Sequence, residues 1–333
     1  MKSKVILVLA LLAAVLVTIA VWQQGSDRIE DLSSRPLLDD GQLGIIGGAE
    51  RIAVGRGANS VELVREGDVW GVASHAGYPA QRERIAALLH AVRGARIVED
   101  QTANPAHHQR LGLDQSADSD NPPLSVSFAG GEQELGLLYG NEVGSGQLVR
   151  LVGNDQVWLV NRPLTMSVNS ADWLALDVIS IPMQQAATAR WTHPDGDVLE
   201  LEKSGEGEYN FRVVGLADEQ QAGNERWINS MVLALINLRA QNVALRSDLA
   251  LGEPELRMHV STWEGAELEA SLYDLDGRFW LLIDRFEQPQ EGNLGVNADP
   301  RWAFQLGIGQ VESLAKRREH IIRTQAGSEA VAE

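Results

Sequence analysis

Apolar and polar residues alternate over short stretches along most of the chain, as in Ser125-Val126-Ser127-Phe128. A period of two is typical of β-strands with one buried face, and such strands build antiparallel sheets. A helical period is rarer. Ile85, Leu88, Leu89 and Val92 follow it, and Gly94 ends that helix. The pattern predicts an α+β protein in which mostly antiparallel sheets pack on a few amphipathic helices.

The first part of the body, residues 50–165, begins with a β-hairpin around Glu66-Gly67-Asp68. The helix ending at Gly94 follows, with Pro79 near its first turn. Further strands are predicted at 95–98, 124–128, 135–139, 148–152 and 157–160.

The second part, residues 166–286, presents the same elements in the same order. A hairpin surrounds Ser204-Gly205-Glu206-Gly207, and Trp227, Met231, Leu235 and Leu238 define one face of a helix. Further strands are predicted at 242–245, 256–260, 268–273 and 279–283.

Two local similarities strengthen the likeness of the two parts. Leu249-Ala250-Leu251-Gly252 resembles Leu111-Gly112-Leu113-Asp114, and Phe279-Trp280-Leu281-Leu282 resembles Val157-Trp158-Leu159-Val160. This alignment gives the first part about 12 extra residues, interpreted as an additional strand near 148–152. The shared order favours an internal duplication over two α+β segments with generic turns.

The N-terminus predicts a membrane segment. Residues 5–21 carry no charge, Trp22 extends the run, and Lys2 and Lys4 precede it. Its length is the lower limit for a spanning helix, and the lysines keep the N-terminus in the cytoplasm. The alternative is a signal peptide cleaved near Thr18-Ile19-Ala20. Both interpretations export the rest of the chain.

These patterns divide the chain into five segments. They are an anchor (1–22), a glycine-rich linker (23–49), the first α+β repeat (50–165), a linker with the second repeat (166–286), and a C-terminal helix and tail (287–333). A short helix is predicted at 172–176 and the C-terminal helix at 311–324.

The composition excludes several classes of function. The 333 residues carry a formal net charge of −18, which disfavours binding to the phosphate backbone of nucleic acid. The chain has no cysteine, so disulfides, thiol nucleophiles and cysteine–zinc sites are excluded. The segment 166–286 alone holds twenty acidic and nine basic residues, a net charge of −11 that favours a basic protein partner.

Motifs for nucleotide binding and nucleophilic catalysis are absent or incomplete. No P-loop sequence is present, and the glycines of residues 55–60 favour a hairpin turn over a dinucleotide loop. Ser313-Leu314-Ala315-Lys316 matches the S-x-x-K motif of penicillin-binding enzymes, in which a K-T-G motif follows later in the chain. Here the similar Lys203-Ser204-Gly205 precedes it. We interpret this pair as coincidence.

The candidate metal ligands and carboxylate pairs are equally weak evidence for a functional site. His107 and His108 are adjacent, so a helix would point them in different directions. Asp114, Asp118 and Asp120 do not have the spacing of a calcium loop. Glu200 and Glu202 alternate on one strand face and predict a solvated surface, although 46 acidic residues leave a glycosidase-like pair open. We therefore predict no catalytic, cofactor-binding or metal-ligating residue.

The tryptophans predict core packing rather than sugar stacking. Trp70, Trp158, Trp227 and Trp280 lie at periodic positions, whereas Trp263 beside the turn at Glu264 is expected to be exposed.

The order of these features resembles domain of unknown function 4340. The resemblance covers residues 50–285 and rests on the following residues: Trp70, Leu111-Gly112-Leu113-Asp114, Leu135-Gly136-Leu137, Gly146-Gln147-Leu148-Val149-Arg150, Val157-Trp158-Leu159 and Asp172-Trp173. It implies a membrane-anchored protein associated with gliding-motility-type ABC transporters, and it provides no catalytic residue.

The expected function is therefore a non-enzymatic auxiliary or scaffold of an ABC-type transport system. The partners would be its permease or ATPase and, through residues 5–22, the inner (cytoplasmic) membrane, with the body in the periplasm. Two alternatives remain open: an envelope hydrolase that uses acidic residues on glycan or peptide, and a periplasmic module that binds a small ligand.

Overall fold

The structure is a computed structural model that describes residues 34–116, 119–223 and 225–324. It has a mixed α+β fold, rich in sheet with few helices, as the alternation predicts. The chain forms two compact units, which meet in sequence between Trp173 and Leu174. None of the helices in the described ranges is long and apolar enough to cross a membrane. The predicted anchor 5–22 and its alternative cleavage site lie outside these ranges.

Among its described residues, the first unit contains ten strands and two α-helices. The strands are β1 (Arg35–Pro36), β2 (Arg51–Arg56), β3 (Asn59–Glu66), β4 (Val69–Val72), β5 (Tyr78–Pro79), β6 (Arg96–Asp100), β7 (Leu124–Gly130), β8 (Gln133–Val143), β9 (Gly146–Leu151) and β10 (Trp158–Val160); the helices are α1 (Asp40–Gly47) and α2 (Arg82–Arg93). The ten strands form one antiparallel sheet of order β1-β6-β10-β9-β8-β7-β2-β3-β4-β5.

The apolar alternation places a core on one face of this sheet, called here its inner face. Ile52 lies directly opposite Leu63 on one neighbouring strand and Phe128 on the other, and all three are fully buried. The hairpin turn between β2 and β3 contains Gly57 at φ +59°, which confirms the turn predicted at residues 55–60.

The opposite, outer face of this sheet is also covered over β8, β9 and β10. Leu111 and Leu113, from the segment before β7, pack there against Leu138, Leu148 and Val157. The Leu-Gly-Leu sequence therefore closes one end of the outer face, while α2 buries its own apolar stripe of Ile85, Leu88 and Val92.

The part of the second unit that the structure describes contains thirteen strands and three α-helices. The strands are β11 (Asp177–Ser180), β12 (Ala186–Thr192), β13 (Val198–Glu202), β14 (Arg212–Val213), β15 (Gln220–Ala222), β16 (Asn237–Arg239), β17 (Asn242–Leu245), β18 (Leu256–Thr262), β19 (Glu267–Leu275), β20 (Arg278–Glu287), β21 (Gly295–Val296), β22 (Trp302–Leu306) and β23 (Ile322–Thr324); the helices are α3 (Glu225–Ile236), α4 (Ile308–Leu314) and α5 (Arg318–Ile321).

Its main sheet has the order β14-β13-β12-β18-β19-β20-β22-β17, and all neighbouring strands are antiparallel. Trp191, Met258 and Ala270 are buried opposite one another on its inner face. On its outer face, Leu249 and Leu251 pack against Tyr273, Trp280 and Leu282, so the second Leu-x-Leu segment covers β19 and β20 as the first covers β8 and β9.

Several local expectations need correction. Inside the predicted linker 23–49, residues 40–47 form α1, because the Asp39 carboxylate accepts a hydrogen bond from the Gln42 amide at 2.8 Å and the Gln42 side chain accepts one from the Asp39 amide. The helix predicted at 311–324 is divided into α4, α5 and strand β23.

Two further corrections concern α3 and the pairing of the tryptophans. Leu238 lies on β16 beyond the end of α3, and Trp227 is 45% exposed, so neither belongs to the predicted buried helix face. Trp280 lies on β20, between β19 and β22 in the second sheet, whereas Trp158 lies on β10, between β9 and β6 in the first. Strand β22 lies beyond residue 286, so the second sheet extends past the predicted end of the second repeat.

Candidate functional site

The exposed part of the outer face of the second sheet carries a row of charged side chains. Glu200, Arg190, His259, Glu269 and Arg285 are direct neighbours across strands β13, β12, β18, β19 and β20. They share a face because each occupies the polar position of an alternating strand. The exposure predicted for Glu200 from this alternation agrees with the structure.

Most side chains of this row are engaged in ion pairs. Arg190 lies 3.4 Å from Glu200, and Arg285 lies 3.5 Å from Glu269 and 2.8 Å from Glu287. The His259 ring contacts the Glu267 carboxylate at 2.5 Å. Since these side chains are largely solvated, the ion pairs contribute little to stability, and the row matters more as a charged surface.

The next row contains an unpaired cation beside a buried hydroxyl. Arg257 lies between Thr192 and Ser271 in the register of β12, β18 and β19. Its exposed guanidinium has neither an ion-pair nor a hydrogen-bond partner among the described residues. The Ser271 side chain is fully buried and donates to the Asp284 carboxylate at 2.5 Å.

A β-bulge brings Asp284 to this place. The register shifts so that Glu269 faces Arg285 while Ala270 faces Ile283, which leaves Asp284 as an extra residue on β20. A bulge redirects the side chain of the extra residue. Asp284 consequently joins Arg257 and Ser271 in the lining of a cavity of 260 Å³ on the outer face.

A second cleft, of 710 Å³, lies at the turn between β12 and β13 and the segment that forms α5. Arg317 pairs with Asp195 at 2.6 Å, and the Arg318 amide donates to the Asp197 carboxylate at 3.2 Å. Hydrogen bonds from the Asp197 amide and from Arg317 lower the pKa of Asp195 below its ordinary value. Arg317 neutralises Asp195, and the guanidinium of Arg318 donates to Gly215 O at 3.1 Å, so both basic side chains of this cleft already have partners.

The residues that carry the family resemblance have structural roles. The buried Gln147 side chain donates to Gly140 O at 2.9 Å and accepts from the Leu164 amide at 2.8 Å. Arg150 donates to Leu113 O at 3.2 and 3.3 Å, which holds the Leu-x-Leu segment on the sheet. Burial lowers the pKa of Arg150 from its ordinary value.

The serine and lysine of the S-x-x-K match have separate partners. Ser313 donates to Gly309 O within α4 at 3.0 Å, and Lys316 lies 5.7 Å from the Trp227 ring centroid. The amine of Lys203, from the K-S-G sequence, is directed to Met183 O. The structure thus gives each of these three side chains a local contact.

The histidine and aspartate candidates likewise have local partners. His108 is buried and its Nε2 lies 3.1 Å from Asp155 O, and Asp114 accepts from both the amide and hydroxyl of Ser116. No cluster of metal-ligating side chains occurs within the described ranges, and Asp118 lies outside them. Trp263 is 38% exposed, as expected, and Trp280 is buried.

Sequence reasoning missed Arg257, Ser271 and Asp284. The alternation in β18 and β19 signals a shared polar face. The bulge that brings Asp284 to it depends on strand register, for which a single sequence gives no signal.

Comparison with known families gives one match. A family model described as "Domain of unknown function (DUF4340)" matches residues 70–255, from β4 in the first unit to the residue before β18 in the second. No curated protein and no solved structure shows significant similarity to the chain.

Proposed function

Because the chain belongs to the DUF4340 family, a domain of unknown function, we propose its role from its own residues. We propose that it is a non-enzymatic auxiliary subunit, held on the outer side of the cytoplasmic membrane beside an ABC-type transport system. The carrying observation is the uncharged stretch 5–21, preceded by Lys2 and Lys4 and followed by Asp27, Glu30 and Asp31. Such a segment holds its short N-terminus in the cytoplasm and exports the chain that follows.

The charge of the body supports a protein partner over a lipid or nucleic-acid surface. The segment 166–286 has a net charge of −11, which anionic headgroups repel and which a basic protein surface attracts. The rows of half-solvated ion pairs on its sheet provide polar groups typical of the rim of a protein interface.

We further infer that the two units arose by duplication of one unit. The order β6-β10-β9-β8-β7-β2-β3-β4 in the first sheet corresponds strand for strand to β17-β22-β20-β19-β18-β12-β13-β14 in the second. In both, a Leu-x-Leu segment covers the matching end of the outer face. A duplicated body gives two similar sheets on which different contacts can evolve.

The alternative of an acidic hydrolase has less support from these residues. Glu200 is occupied by Arg190 and Glu269 by Arg285, so these carboxylates lie in solvated ion pairs. A general acid needs a raised pKa, which burial or a neighbouring carboxylate provides.

The proposal is tested by purifying the full chain with a C-terminal tag in mild detergent and identifying the proteins that accompany it. We expect an ABC permease or ATPase in stoichiometric amount. Recovery of the membrane-bound chain without either subunit would contradict the proposal.

The topology is tested separately with spheroplasts and external protease. We expect digestion of the body in intact spheroplasts, and protection when Lys2 and Lys4 are changed to Glu while Asp27 and Glu30 are changed to Lys, because the charge bias is then reversed. A body that is protected in the unchanged chain contradicts an exported location.

A further inference from the structure

The cavity on the outer face of β12, β18, β19 and β20, described above, contains one guanidinium, of Arg257, and one carboxylate, of Asp284, that form no ion pair among the described residues. Its volume is 260 Å³ and its lining includes Arg257, Ser271, Asp284, Arg190 and Glu269. Two guanidinium groups and two carboxylates balance in charge there. A cavity without net charge favours a neutral, dipolar ligand over a dianion such as phosphate.

The cationic side of the cavity is Arg257. Arg190 and Arg285 on neighbouring strands are engaged by Glu200, Glu269 and Glu287, whereas Arg257 has no such partner within the described ranges. A guanidinium presents a planar set of donors that matches a carboxylate in a bidentate pair. The unpaired guanidinium of Arg257 is therefore suited to bind a carboxylate.

The anionic side is Asp284. Its Oδ2 accepts a hydrogen bond from the Ser271 hydroxyl, and its Oδ1 accepts no hydrogen bond from the described residues. The fully buried Ser271 hydroxyl fixes the carboxylate and leaves Oδ1 for a ligand. An ammonium group, which carries three donors and a positive charge, is suited to this carboxylate.

We propose that this cavity binds a small zwitterion, an amino acid or short peptide, with its carboxylate on Arg257 and its ammonium on Asp284, which Ser271 holds in place. The bulge is the structural device for this site, because it adds an anion to a face whose regular register supplies a cation and a hydroxyl. The inference does not depend on the proposed membrane role, since it concerns groups within one sheet.

The test uses glycylglycine as the probe, with two capped relatives that each remove one charge. Titration calorimetry or nuclear magnetic resonance (NMR) shift titration of the full chain in detergent measures the three affinities. We expect saturable binding of glycylglycine, and binding at least about tenfold weaker for both N-acetylglycylglycine and glycylglycinamide, because each lacks one charge-assisted contact.

Two variants locate the binding. Arg257→Gln is expected to weaken glycylglycine about tenfold while leaving glycylglycinamide unchanged, and Asp284→Asn to weaken it about tenfold while keeping an acceptor for Ser271. Arg278→Gln is the matched control, since Arg278 is exposed on β20 and does not line the cavity. Thermal unfolding of each variant confirms that it is folded.

The proposal is wrong if glycylglycine does not bind, if the capped peptides bind equally well, or if Arg257→Gln binds like Arg278→Gln. Displacement of glycylglycine by equimolar inorganic phosphate would also overturn it, because it would identify a simple anion site.

Discussion

Single buried polar side chains tie the loops of the first unit to its sheet, and Gln147 is the clearest case. Its side-chain amide donates a hydrogen bond to Gly140 O and accepts one from the Leu164 amide, and the residue is only 3% exposed. Gln147→Leu leaves both groups unpaired in the interior. We expect the free energy of unfolding to fall by about 3 kcal/mol, measured by chemical denaturation.

Gln133→Leu provides the comparison for this variant. Gln133 is exposed at the start of β8, so the same chemical change there is expected to alter stability by about 0.5 kcal/mol or less. Equal effects of the two substitutions would show that the Gln147 bonds do not stabilise the fold.

Because Lys203 is buried, we predict that the free energy of unfolding depends on pH. Its side chain is 5% exposed, with the amine over the Phe211 ring at 4.8 Å from the centroid, and burial lowers its pKa below the ordinary 10.5. The unfolded chain then binds this proton more tightly than the folded chain. Stability therefore rises as the pH increases from the lowered pKa toward 10.5, and the gain is complete above 10.5.

The comparison of the unchanged protein with Lys203→Met isolates this effect. We expect the difference in unfolding free energy, unchanged minus variant, to increase over that alkaline interval in denaturation curves at several pH values. A difference that is constant or decreases with pH contradicts the assignment.

At the level of elements, the Leu111–Leu113 segment needs close approach to β8. A Cβ added at Gly140 would lie 2.8 Å from Cγ of Leu113, inside contact distance. Gly140→Ala therefore displaces the segment, and we expect a loss of about 1–3 kcal/mol in denaturation experiments. Gly252→Ala, beside the second Leu-x-Leu segment, has open space around its Cβ and should have little effect. Similar losses for both would refute the packing argument.

The sequence predicted most strands because their apolar alternation is local. The hairpin of β3 and β4 and the strands β7, β8, β18 and β19 lie where the pattern places them. The division of the C-terminal helix was missed, since Arg317 and Arg318 are drawn to Asp195 and Asp197, residues far away in sequence. The cavity was missed for the same reason, because register brings Arg257, Ser271 and Asp284 together.

At the scale of the whole chain, each unit has the features of an independent folding domain. The first sheet buries Ile52, Leu63 and Phe128 on one face, and on the other face Leu113 packs against side chains of the same unit. The second does the same with Trp191, Met258 and Trp280. A fragment that keeps all the strands of a sheet keeps the apolar burial that stabilises it.

We therefore expect the fragments 34–173 and 174–324 each to unfold cooperatively and to give dispersed amide signals in NMR spectra. The fragment 34–130 is the matched control. It ends after β7 and lacks β8, β9 and β10, so Phe128 loses its neighbour Leu135 and Leu113 loses the leucines on which it packs, and the fragment should stay unfolded. If 34–173 is as disordered as 34–130, the two units fold only as one body, and separate contributions of the two sheets to function are excluded.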